Sequence, residues 1–170
     1  ITEEQLRADI GQMLIIGFDG AELTPELLYV LHEVRPGGIL LLNRNLYDAE
    51  QTKALIADVQ EIARQVTGEA MFVAIDQEGE PSNRIAWLNA TAGQAKLENF
   101  TNAYDVGQER AQELHEIGFN MNLAPVLDSG NPEDFLFSRS FQIFQEDAVT
   151  IIKGLTWGHE KAGVEVVPKH

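Results

Sequence analysis

The chain has 170 residues, 44% of them hydrophobic and none of them cysteine, and a formal charge of −15. That length can bury one sizeable core, and the composition is ordinary for a globular domain. The acidic balance repels phosphate backbones and anionic lipid, which argues against nucleic-acid and membrane partners; the missing cysteine excludes disulfides, thiolate nucleophiles and cysteine zinc sites.

Thr2 opens a first helix, with Gln5 spaced for a capping box and Leu6 and Ile10 on one face. The apolar run Met13 to Phe18 follows as a strand. Thr24-Pro25 is an N-cap with proline at the first helical position, and Leu27, Leu28, Leu31 and Val34 continue that helix until Pro36-Gly37-Gly38 stops it. Gly38 to Asn43 is the second strand. Asp48 with Gln51 opens a third helix, whose buried stripe is Leu55, Ile56, Val59 and Ile62. Phe72-Val73-Ala74-Ile75 then delivers Asp76-Gln77-Glu78-Gly79 at its end. A helix from Asn102 ends at Gly118, Met121 to Val126 is the fourth strand, a helix from Asp147 ends at Gly163, and Val164 to Val167 leads into Lys169-His170. Strands alternating with helices predict right-handed βαβ units and a parallel sheet, an α/β fold. Strands covered on both faces read as unbroken apolar runs, so each run is expected to be buried.

No run approaches the ~20 apolar residues that span a bilayer. No signal peptide is visible, and a start at Ile1 leaves room for a removed upstream segment. The compartment is therefore open, with the cytoplasm favoured over export.

Polar groups just past the carboxyl ends of parallel strands lie where α/β sheets and barrels bind ligands, which makes Asp76 the first candidate. Each candidate also has a plainer role. Asp76 could cap a turn or pair with an arginine. Glu78 is expected to orient its loop or pair with Arg84. Asp128, beside Ser129-Gly130-Asn131-Pro132, is equally a turn former, and Arg139 lies among Phe135, Phe137 and Phe141 where it could pack on aromatic faces. His32, His115 and His159 fall on predicted helices, at expected solvated or edge positions, and no metal-ligand spacing appears. Nucleotide-binding glycine motifs and a G-x-S-x-G elbow are missing. Trp87 and Trp157 could stack on sugar rings, although Trp157 is more simply a helix-face packing residue.

Taken in order, Ile10-Gly11-Gln12-Met13-Leu14, Pro36 to Leu41 with Arg44-Asn45, Ile75 to Gly79, Asn122 to Asp128, Arg139-Ser140-Phe141 and Lys169-His170 span nearly the whole chain. The set resembles the N-terminal domain of the family 3 glycoside hydrolases, most closely the bacterial β-N-acetylhexosaminidase branch. Two stretches depart from that pattern: Glu80-Pro81-Ser82-Asn83-Arg84 lacks a second glycine and an arginine, and Ser138 and Gln142 flank the arginine motif where aspartate and glycine are usual.

The resemblance implies a (β/α)8 TIM-barrel type, of which about five βα units fall within residues 1–170, so that the domain is C-terminally incomplete. It implies retaining hydrolysis of terminal β-linked N-acetylhexosamine or glucose, and a carbohydrate ligand. Asp76, Arg139, Lys169 and His170 would line the sugar subsite, with Arg84 and Asp128 completing the candidate set. No catalytic residue, metal or organic cofactor is assigned within the chain. In the branch resembled, the nucleophilic aspartate lies on a later strand and the acid/base histidine in the loop opened by Lys-His, both past His170. The chain alone is then expected to be inactive and to need a complementing C-terminal segment. The alternative is a non-catalytic sugar-binding or scaffold protein that covers its open sheet edges as a homo-oligomer.

Overall fold

The computed structural model of the chain describes residues 1–128, 131–143 and 145–170. In chain order the elements are α1 Glu3–Gln12, β1 Ile15–Ile16, α2 Pro25–Glu33, β2 Gly38–Leu41, α3 Ala49–Thr67, β3 Phe72–Ile75, α4 Phe100–Ile117, β4 Met121–Asn122, α5 Gln145–Lys161 and β5 Glu165–Val166. The strands form one sheet in the order β1-β2-β3-β4-β5. Ile15 pairs with Gly38 and Met121 with Glu165, both in parallel. Two compact units divide the chain, one of residues 1–74 with 117–119, the other of residues 75–116 with 120–170.

The first unit follows its caps. Thr2, Thr24 and Asp48 accept hydrogen bonds from the backbone N–H of Gln5, Leu27 and Gln51 at 3.1, 3.2 and 2.8 Å, each satisfying an orphan donor of a first turn. α3 ends at Gly68, whose φ of 83° is the left-handed conformation that releases the chain toward β3. Leu27, Leu31, Ile39, Leu41, Leu55, Ile56 and Val59 are buried and build this core. Gln60 is buried beside it and spans the backbone of Met71, donating to the carbonyl at 2.9 Å and accepting from the N–H at 3.1 Å.

Three expectations about burial fail here. Met13 is 83% exposed as the C-cap of α1, Leu14 is exposed in the link after it, and Ile15 is exposed on β1, an edge strand with a neighbour on one side only. Leu6 and Ile10 share the face the spacing gave them, but that face is open to solvent. The strands are also shorter than their apolar runs, since the sheet ladder ends where the backbone turns toward the loops. Ile62 is half-buried, and Ala63 takes its place on the covered stripe.

The second unit packs α4 on α5 at backbone distance. A Cβ at Gly107 would stand 2.4 Å from the Leu155 carbonyl oxygen, one at Gly154 2.4 Å from that of Phe100, and one at Gly158 2.3 Å from that of Tyr104. Leu97, Ala103, Phe141, Ile151 and Leu155 cluster as the core between these elements. Trp157 rests edge-on against Phe100, with ring centroids 5.6 Å apart, as a helix-face residue.

Helix propensity alone favours Ala over Gly by about 1 kcal/mol, whereas the backbone of α4 leaves no room for a methyl group. Gly158→Ala is therefore expected to lower stability by about 1–3 kcal/mol in urea unfolding; an unchanged or raised midpoint would show that the two helices separate without cost.

Candidate functional site

All candidate side chains lie in the second unit. Asp76 and Glu78 follow β3 and alternate in extended chain around Gln77, so both carboxylates meet one cation. Lys169 Nζ donates to Asp76 Oδ1 at 2.7 Å and lies 2.8 Å from Glu78 Oε1. Arg139 grips Glu78 with its planar fork, Nε to Oε2 at 2.8 Å and Nη2 to Oε1 at 2.7 Å. Arg84 Nη2 reaches Asp76 Oδ2 at 3.3 Å. The Glu78 side chain is 2% exposed, while those of Asp76, Lys169 and Arg139 keep 15 to 19%.

Burial pushes the Glu78 carboxyl up, but the hydrogen bonds and charges of Arg139 and Lys169 outweigh it and hold the group below its ordinary value. Arg139 is correspondingly raised, first by its hydrogen bond to Glu78. Glu78 is thus an ionised, buried anchor with its oxygens already engaged. Asp76 differs. A carboxylate offers about four lone-pair sites, and two cations leave acceptor capacity on the partly open side chain.

Lys169 arrives through the sheet. Its N–H donates to the Pro125 carbonyl at 2.9 Å and it bridges Val126 in parallel, so the β4–β5 register fixes the ammonium. His170 then turns to Asp128, whose Oδ2 accepts from its backbone N–H at 3.2 Å and lies 2.7 Å from Nδ1. That hydrogen bond lowers the Asp128 carboxyl against slight desolvation. Asp128 therefore faces His170; the Ser129-Gly130 part of its predicted turn lies outside the described residues.

Beneath the carboxylates lies a polar frame. Gly79 has φ +91°, and a Cβ there would stand 2.3 Å from the Ala92 carbonyl oxygen. Buried Arg110 donates to the carbonyls of Ala90, Glu78 and Ala92 at 3.2, 3.0 and 2.6 Å. Desolvation lowers its pKa to about 10, with Glu113 and Glu78 opposing. Asn122 spans the Gln77 backbone, accepting from N–H and donating to C=O, both at 3.0 Å. Behind it stands His159, Nε2 3.1 Å from Asn122 Nδ2 and Nδ1 2.8 Å from the Leu155 carbonyl oxygen. Since that oxygen only accepts, the network assigns the proton to Nδ1, and Nε2 accepts from Asn122.

The expected pairing of Glu78 with Arg84 is replaced: Glu78 joins Arg139 and Lys169, and Arg84 joins Asp76. Arg139 also keeps the aromatic contact foreseen for it, its Cζ 6.0 Å from the Phe135 ring centroid. His159 is buried, at 2% exposure, rather than solvated, because it faces the strand ends across α5. The sequence singles out neither Arg110 nor the framing role of Asn122, which enters only as the start of the Asn122 to Asp128 stretch; a charged residue within the helical apolar pattern of α4, and an Asn inside a strand run, are the available signals. Among the described residues, no group of three potential metal ligands occurs.

Residues 5–170 match the Glycosyl hydrolase family 3 N terminal domain, and the chain belongs to that family. A β-hexosaminidase of Histophilus somni (strain 2336) is 28% identical over 167 residues, covering 93% of this chain and 47% of the relative. One of Mannheimia succiniciproducens is 30% identical over 166 residues, covering 92% and 47%. The chain thus spans about half the length of the curated relatives it matches. Among solved structures, a family 3 β-N-acetylglucosaminidase from Paenibacillus sp. str. FPU-7 superposes with TM-score 0.89 at 29% identity, over 97% of this chain and 32% of that one. NagZ from Neisseria gonorrhoeae, in complex with N-trifluoroacetyl-D-glucosamine, gives 0.80 at 26% identity, over 92% and 49%. The fold is accordingly α/β of the family 3 N-terminal barrel type.

Burial lowers the His159 pKa from 6.5 to about 4, against the hydrogen bond to Leu155. Between those values the unfolded chain binds a proton that the folded chain refuses, so stability falls as pH drops through that window, by up to about 3 kcal/mol. His159→Gln is expected to be less stable at pH 7 and to lose this part of the slope. Parallel urea titrations from pH 7 to pH 4 check it, and identical slopes would mean that His159 is not held neutral.

Proposed function

We propose that residues 1–170 carry the sugar-binding part of a retaining glycoside hydrolase acting on terminal β-linked N-acetylhexosamine, or glucose, residues. Asp76 accepts hydrogen bonds from two sugar hydroxyls, Arg139, Lys169 and His170 line the same subsite, and Arg84 and Asp128 support it. The nucleophile and acid/base of the reaction come from outside these residues. The observation that carries the reading is the division of labour between the two carboxylates. Glu78 is buried and fully engaged by Arg139 and Lys169, whereas Asp76, fixed by Lys169 and Arg84, keeps exposed acceptor capacity. That arrangement suits a neutral polyol, whose paired hydroxyls form charge-assisted bonds with a preorganised carboxylate. The names of the relatives, β-hexosaminidase and β-N-acetylglucosaminidase, support the same substrate class.

Catalysis by retention needs two groups flanking the glycosidic bond, commonly carboxyls about 5 Å apart. Glu78 is a poor nucleophile where it stands, since both its oxygens are already hydrogen-bonded. The chain by itself is therefore expected to bind sugar without releasing nitrophenol from an aryl β-N-acetylglucosaminide.

Calorimetric titration of the folded chain with N-acetylglucosamine and with glucose, beside Asp76→Ala, tests the proposal. Saturable heat that is lost in the variant is expected, each unpaired hydroxyl costing about 1–3 kcal/mol. A folded parent that gives no saturable heat, or a variant that binds as well, overturns Asp76 as a sugar ligand.

A further inference from the structure

Gln77 sits between the two carboxylates, is fully buried, and has no place in the sugar contacts just described. Its side-chain amide acts as a piece of sheet. Oε1 accepts from the N–H of Arg84 at 2.9 Å and of Ile85 at 3.0 Å, and Nε2 faces Asn83 Oδ1 at 3.3 Å and the Ile85 carbonyl at 3.4 Å. The segment so pinned is the one that departs from the family pattern, and it carries Arg84, whose guanidinium meets Asp76.

The backbone of Gln77 is itself held from behind. Asn122 fixes both backbone groups of Gln77, and its second N–H is taken by His159, whose remaining nitrogen is committed to Leu155 on α5. Every donor and acceptor along this line has a partner, which removes rotational choice from the Asn122 amide and fixes the backbone from which the Gln77 side chain projects. The Gln77 side chain that holds the backbone of residues 84 and 85 is neutral, and it acts beside the ion pair of Arg84 with Asp76.

The geometry points to Gln77 as a positioning residue of the sugar subsite, which acts through Arg84 to fix the Asp76 carboxylate and is backed by Asn122 and His159. This rests on the proposed sugar-binding role of Asp76. A loop held by Gln77 for stability alone would leave ligand affinity indifferent to the amide once Arg84 is in place.

The test is a double-mutant cycle read as N-acetylglucosamine affinity by chemical-shift titration, on the parent, Asp76→Ala, Gln77→Met, Arg84→Ala and the double variant Gln77→Met/Arg84→Ala. Methionine keeps length and volume and removes the acceptor. Gln77→Met and Arg84→Ala are each expected to weaken binding about tenfold, and the double variant no more than either alone, because both remove one constraint. A double variant weakened about a hundredfold would show independent action and overturn the inference, as would a Gln77→Met that binds like the parent while Asp76→Ala does not. If the parent does not bind, or Asp76→Ala binds as well as the parent, the sugar-site reading falls and takes this inference with it. Should Gln77→Met fail to fold, Asn83→Ala, at the half-buried end of the same amide, is expected to weaken binding about threefold in the parent and not at all in Arg84→Ala; unchanged affinity in the parent overturns the inference.

Discussion

The site depends on one ammonium. Lys169 Nζ stands 2.7 Å from Asp76 and 2.8 Å from Glu78, and without it the two carboxylates would face each other at low exposure with Arg84 beside the first and Arg139 beside the second. Burying one such charge costs several kcal/mol unless a partner and hydrogen bonds compensate, and burying two like charges side by side costs more. Every neighbouring feature follows from that need. Arg139 completes the pairing of Glu78 from the 137–139 turn, and the ladder between Pro125, Val126 and Lys169 brings the ammonium to its place. The backbone pairing of β4 with β5 is thus a condition of the electrostatics, and a one-residue slip would swing Lys169 to the opposite face.

Three buried primary amides repeat one device. Gln60 spans the backbone of Met71, Asn122 that of Gln77, and Gln94 that of Val126, each taking both the N–H and the C=O of a residue before or after a strand. Strand ends in a parallel sheet leave such groups without a ladder partner, and a buried unpaired group costs about 1–3 kcal/mol. An amide side chain offers the complementary donor and acceptor at once. The chain can therefore stop its strands early, as β3 does at Ile75, while its loops stay ordered enough to aim side chains.

Apolar runs, caps and helix-ending glycines made the order of elements legible, because these signals are local. Thr2, Thr24 and Asp48 cap the helices they were expected to open. Burial of β1 was not legible, since an apolar run does not say whether a strand has one neighbour or two. The site was partly legible. Asp76, Arg139 and Lys169 converge as the motif order implied, and Asp128 with His170 forms a pair beside them, close enough for Asp128 to act on the Arg139 charge. What the sequence hid is partner choice among like residues. Glu78 lies six residues from Arg84 and sixty-one from Arg139, and proximity along the chain favoured the wrong arginine. Gln77, Asn122 and His159 were hidden for a related reason: a buried polar residue declares itself only when its partners are known.

Charge distribution bears on how such a site selects its ligand. The chain carries −15 overall, yet Arg84, Arg139 and Lys169 are gathered around two carboxylates. At distances beyond the ~8 Å screening length at physiological salt, an approaching molecule feels little of either. A neutral sugar is not steered by a long-range field in any case, so its encounter rate is set by diffusion and by the exposed fraction of the site. Under the proposed function, discrimination falls on short contacts: whether two hydroxyls meet a carboxylate whose position has been set beforehand. The ion pairs, the register of Lys169 and the amide frame all serve that end. They take rotameric freedom out of Asp76 during folding, so that the neutral ligand of the proposed function would not have to supply that ordering on binding.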